Sequence, residues 1–139
     1  MKLSATIIGT SAILAAAVAV AALGELKPEA PTRAPGNFEP TRAEKRTIEK
    51  ALAERFYYPR GVELGSVTGR FEAGKPPYFC GFVKSENEHG GNRRTSIFHG
   101  FISSKNFIPM QIASGGTAAD EALTICCLRG LFEGDICSR

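Results

Sequence analysis

From Ala5 to Leu23 the chain carries no charge, and Ala12 to Leu23 contains only Ala, Val, Leu and Ile. A short basic start, Met1-Lys2, precedes this run. Small residues close it at Ala19-Val20-Ala21 and Ala22-Leu23-Gly24, the spacing that a signal peptidase reads. The pattern predicts a secretory signal peptide over residues 1–24 and hence a periplasmic or secreted protein. The alternative is an uncleaved anchor in the inner membrane. A spanning helix needs about 20 predominantly apolar residues, a length reached here only by counting Thr6, Gly9, Thr10 and Ser11 inside it. No cysteine lies near the cleavage region, which argues against a lipid anchor, and no second apolar segment of this length follows. After cleavage no stable membrane span is expected.

Export determines how the cysteines are read. Cleavage after Gly24 leaves 115 of the 139 residues, enough for one domain with a modest core. In an oxidising compartment the four cysteines Cys80, Cys126, Cys127 and Cys137 read as two disulfides. A bridge between the adjacent Cys126 and Cys127 would be strained. The two remaining pairings both join Cys80 to one of that pair and Cys137 to the other. Zinc ligation is disfavoured because the chain has no C-x-x-C and no histidine close by. Loss of Lys2 with the leader takes the formal charge from +3 to +2. Near neutrality, with both signs interspersed, argues against nucleic acid as a partner.

Residues 25–40 hold Pro28, Pro31, Pro35, Gly36 and Pro40 and are expected to form an extended linker, with a single domain over 41–139. The domain opens on a helix. Thr41 and Glu44 match a capping box, and Ile48, Ala51, Leu52 and Phe56 share one face. Arg42, Arg46 and Lys50 form a basic stripe that reads as a solvated surface. Tyr58-Pro59-Arg60-Gly61 is expected to end the helix.

Antiparallel sheet follows. Strands are expected over Val62–Glu72, Tyr78–Lys84 and Thr95–Ser103. A fourth, Phe107–Ile112, would be confined to an edge by Pro109. Short turns between them indicate a meander. A last helix is expected to start near Thr117, to place Ala119, Ala122, Leu123, Cys126 and Cys127 against the sheet, and to end at Gly130.

The segment Cys80-Gly81-Phe82-Val83, the turn Asn87 with Gly90-Gly91, and a cysteine in the C-terminal helix together resemble a group of small exported bacterial proteins of unknown function. That group shares a signal peptide, a helix, a Cys-Gly-x-Val strand and an Asn-x-x-Gly-Gly turn. It often has Pro-Asp-Ser after the first helix and an aromatic after the paired glycines, where this chain has Pro59-Arg60-Gly61 and Asn92. The resemblance implies the fold and a tie from Cys80 to Cys126 or Cys127. It implies no activity.

Candidate sites are few. A hairpin centred between Gly90 and Gly91 would place His99 opposite Phe82, two residues from Cys80. A Cys-His dyad there would need a free thiolate, which disulfide formation removes. The carboxylates Glu86, Glu88, Asp120 and Glu121 are adjacent or alternate residues that do not converge on one substrate. Asn87, His89, Gly90 and Gly91 form a possible partner-binding loop, although a plain turn explains the same residues. No catalytic set, metal site or cofactor motif emerges. The expected fold is α+β: an N-terminal helix, a three- or four-stranded antiparallel meander, and a C-terminal helix tied by disulfide. The expected role is a non-enzymatic binding or accessory protein of the bacterial envelope, with a protein or glycan partner. The alternative is a small cell-wall-acting enzyme or an inhibitor of one. A binding module would expose an apolar or aromatic patch, expected around Tyr57, Tyr58 and Tyr78.

Overall fold

Five antiparallel strands form one meander in sequence order, with a helix packed on each face. The computed structural model describes residues 33–56, 61–86 and 93–138. The strands are β1 (Gly36–Phe38), β2 (Glu63–Phe71), β3 (Tyr78–Glu86), β4 (Arg93–Ser103) and β5 (Asn106–Ala113). The helices are α1 (Arg42–Ala53) and α2 (Gly116–Leu128), and a 3-10 turn at Gly134–Cys137 follows. The fold is therefore α+β as expected, with one strand more than the sequence suggested. The expected leader lies outside the described residues, and no described helix is long and apolar enough to cross a membrane.

The additional strand is β1, which arises within the stretch expected to be linker. Gly36, Asn37 and Phe38 pair with Phe71, Arg70 and Gly69. The ring of Phe38 lies directly over Gly69 and meets Phe79 edge-on at 5.6 Å. Arg33 stacks on Phe38 at 3.5 Å and bonds Glu44 at 2.8 Å. Residues 33–40 thus belong to the folded domain, whereas 25–32 lie outside the described residues. Proline density obscured this three-residue strand.

Helix α1 forms as its capping box predicts. Thr41 Oγ1 accepts from the Glu44 amide at 3.2 Å, and the Glu44 carboxylate accepts from the Thr41 amide at 2.8 Å. Burial raises the Glu44 pKa, but the bonds from Arg33 and Thr41 outweigh it and leave the carboxyl below its usual range. The helix stops at Ala53, well before Pro59, through tightened bonds from the Arg55 and Phe56 amides to Leu52 and Ala53. Its face buries Ile48 and Leu52 against Val67, Phe79, Val83, Phe98 and Phe107. Fully burying each such side chain is worth roughly 1.5–3 kcal/mol.

Strands β3 and β4 are apolar on both sides because both faces are covered. Phe79, Gly81 and Val83 face α1, while Cys80 and Phe82 face α2. In β2 the register shifts between Leu64 and Val67, a bulge that brings the Ser66 carbonyl over Gly81. A Cβ at Gly81 would lie 2.7 Å from that oxygen and 2.9 Å from Phe98 and Val67, so the glycine is sterically required. Pro109 sits in the edge strand β5, as expected, where the register skips Met110.

Helix α2 begins at Gly116 without a side-chain cap, because Gly115 and not Thr117 occupies the N-cap. Its end matches expectation. Gly130 has φ +68°, its amide bonds Cys127 O at 2.9 Å, and the Leu131 amide bonds Cys126 O at 3.0 Å, which is a Schellman closure. Cys80 bonds Cys126 and Cys127 bonds Cys137. Only Cys126 faces the sheet. Cys127 is one residue around the helix and turns toward the 3-10 segment instead, which corrects the expectation that both cysteines face inward.

The two bridges should differ in weight. The Cys80–Cys126 bond closes 46 residues and the Cys127–Cys137 bond closes 10. The chain-entropy model assigns them about 4 and roughly 2.5–3 kcal/mol. Paired Cys→Ala replacement of the first should lower the melting temperature more than that of the second. The Cys127→Ala/Cys137→Ala protein should expose no thiol to an alkylating probe, whereas the swapped pairing would expose two. Gly81→Ala should cost about 1–3 kcal/mol by overpacking in a denaturant titration.

Candidate functional site

The sheet face under α2 carries the polar chemistry. The β3–β4 register sets Cys80 opposite His99, Phe82 opposite Ile97 and Tyr78 opposite Phe101. His99 was expected opposite Phe82, so the hairpin is displaced by two positions along β4. The displacement puts imidazole and sulfur side by side on the strands, the arrangement a Cys-His dyad would need. The chemistry is nonetheless closed, because Cys80 is in a disulfide and no described cysteine is free.

His99 is also fully engaged. It is buried, at 4% exposure. Tyr78 Oη lies 2.5 Å from its Nδ1, and Gln111 Oε1 lies 3.1 Å from its Nε2. Gln111 Nε2 donates to the Ala118 carbonyl at 3.0 Å, which orients the amide with its oxygen toward the imidazole. A neutral ring satisfies every member of this chain: Tyr78 donates to Nδ1, and Nε2 donates to Gln111. Desolvation lowers the His99 pKa below the usual imidazole value. The Gln111 bond and Glu121 oppose that shift, and Arg129 adds to it. The network links β3, β4 and β5 to the first turn of α2. Both nitrogens are spent on structure, and neither is left to serve as a base.

Beside this network lies a groove with a cavity of about 240 Å³. Its walls come from several elements. Strands β3, β4 and β5 supply Tyr78, Phe101 and Met110. The end of α2 supplies Arg129 and Leu131, β2 supplies Arg70, and the β2–β3 connection supplies Glu72, Lys75 and Pro76. Met110 is 61% exposed because the β5 bulge turns it outward. The guanidinium of Arg129 stacks 3.9 Å over the Tyr78 ring. Burial raises the Tyr78 pKa, and Arg129 partly offsets the rise.

Charge at the rim is unevenly satisfied. Glu72 takes Lys75 at 2.6 Å and Arg70 at 3.5 Å, and these cations hold its carboxyl below the usual range. Arg70 also donates to Asn37 Oδ1 at 3.0 Å, and Asn37 Nδ2 donates to the Gly130 carbonyl at 2.5 Å. Arg129 forms no ion pair among the described residues. The groove therefore has an apolar floor and one cation without a carboxylate.

The other candidates fare differently. Asn87, His89, Gly90 and Gly91 lie outside the described residues, as do Tyr57, Tyr58 and Glu88. Glu86 and Glu63 flank Arg93, Glu63 at 2.6 Å. Asp120 borders a shallower hollow between α2 and Phe82, Thr95 and Ile97. No described cluster of His, Cys, Asp and Glu could hold a metal ion. The sequence reading missed Arg129, Gln111 and Met110. The period-two pattern does place Tyr78 and Cys80 on one face, but Arg129 joins them only through the end of a helix remote in sequence.

Two measurements check the His99 network. Because the folded pKa lies below the unfolded one, the unfolded chain takes up a proton first. The stability that neutral His99 contributes is complete above about pH 6.5 and is lost as pH falls toward the folded pKa, by up to about 1.4 kcal/mol per pH unit. His99→Gln should flatten that slope between pH 7 and pH 5 whatever its stability at pH 7. Tyr78→Phe leaves a buried nitrogen without its donor and should cost about 1–3 kcal/mol at pH 7. Comparison with known protein families, with curated proteins and with solved structures finds no match.

Proposed function

We propose that this chain is an exported, non-enzymatic binding or accessory protein of the bacterial envelope, and that it binds through the groove at the end of α2. The observation that carries this reading is the groove: apolar walls from Tyr78, Phe101, Met110 and Leu131, with Arg129, which forms no ion pair among the described residues, at the rim. Binding sites combine mostly apolar walls with a few placed polar groups in this manner. The groups that would supply catalysis are committed elsewhere. The described cysteines are bridged, and His99 is bonded through both nitrogens. Export is supported by the leader pattern and by the disulfides, which persist in oxidising compartments.

Expression with the native leader, followed by intact-mass measurement, should give a soluble species lacking residues 1–24. A membrane-bound species retaining them would favour the anchor. The groove is tested by capture from envelope extract. Met110→Asp alters an exposed side chain and should leave melting within about 0.5 kcal/mol of the wild type. It should nonetheless abolish capture of the partner. Unchanged capture by Met110→Asp would move the binding surface away from this groove.

A further inference from the structure

We infer that the groove takes a small monocarboxylate with an aromatic or branched aliphatic body, its carboxylate on Arg129 and its body against Tyr78, Phe101 and Met110. The inference rests on the reading of the groove as the binding site, and adds the chemical class of ligand.

Three cations line the cavity, yet they are not equivalent. Lys75 and Arg70 already share Glu72, and Arg70 also donates to Asn37. Against the one carboxylate of Glu72 the lining keeps a net charge of +2, but Arg129 is the cation with no ion pair among the described residues and so the one whose donors face an incoming group. One guanidinium with no ion pair among the described residues suits a monocarboxylate, whereas a phosphate dianion calls for several charge-assisted donors and those of Lys75 and Arg70 are engaged by Glu72 and Asn37. The five donors of a guanidinium form a planar fork that matches a carboxylate in a bidentate pair.

The fork is also held in place. Arg129 is the C-cap of α2, and its backbone amide bonds Ile125 O at 3.0 Å. The Schellman closure and the Asn37 bond to Gly130 fix the next residue. Stacking on Tyr78 at 3.9 Å restrains the guanidinium plane, and Tyr78 is in turn held by His99. Less side-chain entropy is then lost on binding. The partial negative charge of the helix C-terminus opposes an anion there. The bonds from Gly130 and Leu131 to the last carbonyls weaken that opposition.

Size and polarity select the rest of the ligand. A cavity of about 240 Å³ falls below the usual range for drug-sized ligands, so the body must be small. Away from the charged rim its walls are two aromatic rings, a thioether, Pro76 and Leu131, which favour an apolar body over a sugar.

The test uses the purified full chain, titrated calorimetrically with 3-phenylpropionate and 4-methylpentanoate, each beside its primary amide. Both acids should bind, and the amides about tenfold or more weakly, the cost of losing a charge-assisted pair. Arg129→Gln should bring acid and amide to the same affinity, and Arg129→Lys should restore only part of the difference. Acid and amide binding equally to the wild-type protein would overturn the carboxylate assignment and leave the groove as a binding site. No heat from any of the four compounds would overturn the ligand class. Capture from envelope extract that still depends on Met110 would then show the groove to be used by a different partner, and capture that does not would remove the groove reading as well.

Discussion

The bond from Cys80 to Cys126 joins the middle of a central strand to the last turn of α2, and the whole face under that helix depends on it. Helix α2 buries only Ala122 and Cys126 completely, with Ala119 and Leu123 partly covered. Such small side chains bring the helix close to the sheet but release little apolar surface, at about 0.8 kcal/mol per buried CH₂. By contrast, α1 packs Ile48 and Leu52 into a cluster of five large residues from the sheet and needs no covalent tie. The two faces are thus held by different means, one by apolar burial and the other by a covalent bond with a thin polar network.

That network explains why a buried histidine survives in so small a domain. A polar group taken from water costs free energy unless its partners are supplied. Here Tyr78, Gln111 and the Ala118 carbonyl supply them in one continuous chain. The disulfide anchors the end of α2, the network anchors its start, and Asn37 ties Gly130 to β1 and β2. The groove is the space left between these attachments, which is why its lining comes from so many separate elements.

Much of the fold was legible because its signals are local. Thr41 and Glu44 lie three residues apart and close a capping box within one turn. Gly130 ends α2 through bonds to residues within one turn. The apolar runs of β3 and β4 gave both strands, and Pro109 placed β5 at an edge. Misreadings came from non-local effects. The strand Gly36–Phe38 has no strand-like composition and exists because β2 offers an open edge and Phe38 fits over Gly69. The displaced hairpin register could not be drawn from Gly90-Gly91, since glycine permits several turn geometries.

Sequence alone determined the leader pattern, the helix starting at Thr41 and the order of β2 to β5, because each follows from neighbours in the chain. Tertiary structure decided which cysteine of the adjacent pair meets Cys80, since a single helical step turns Cys127 away from the sheet. It also decided that His99 stands opposite Cys80 with both nitrogens spent, and that Arg129 lies over Tyr78. These residues are brought together by strand register and by the position of a helix end, and neither is encoded by any short stretch of residues.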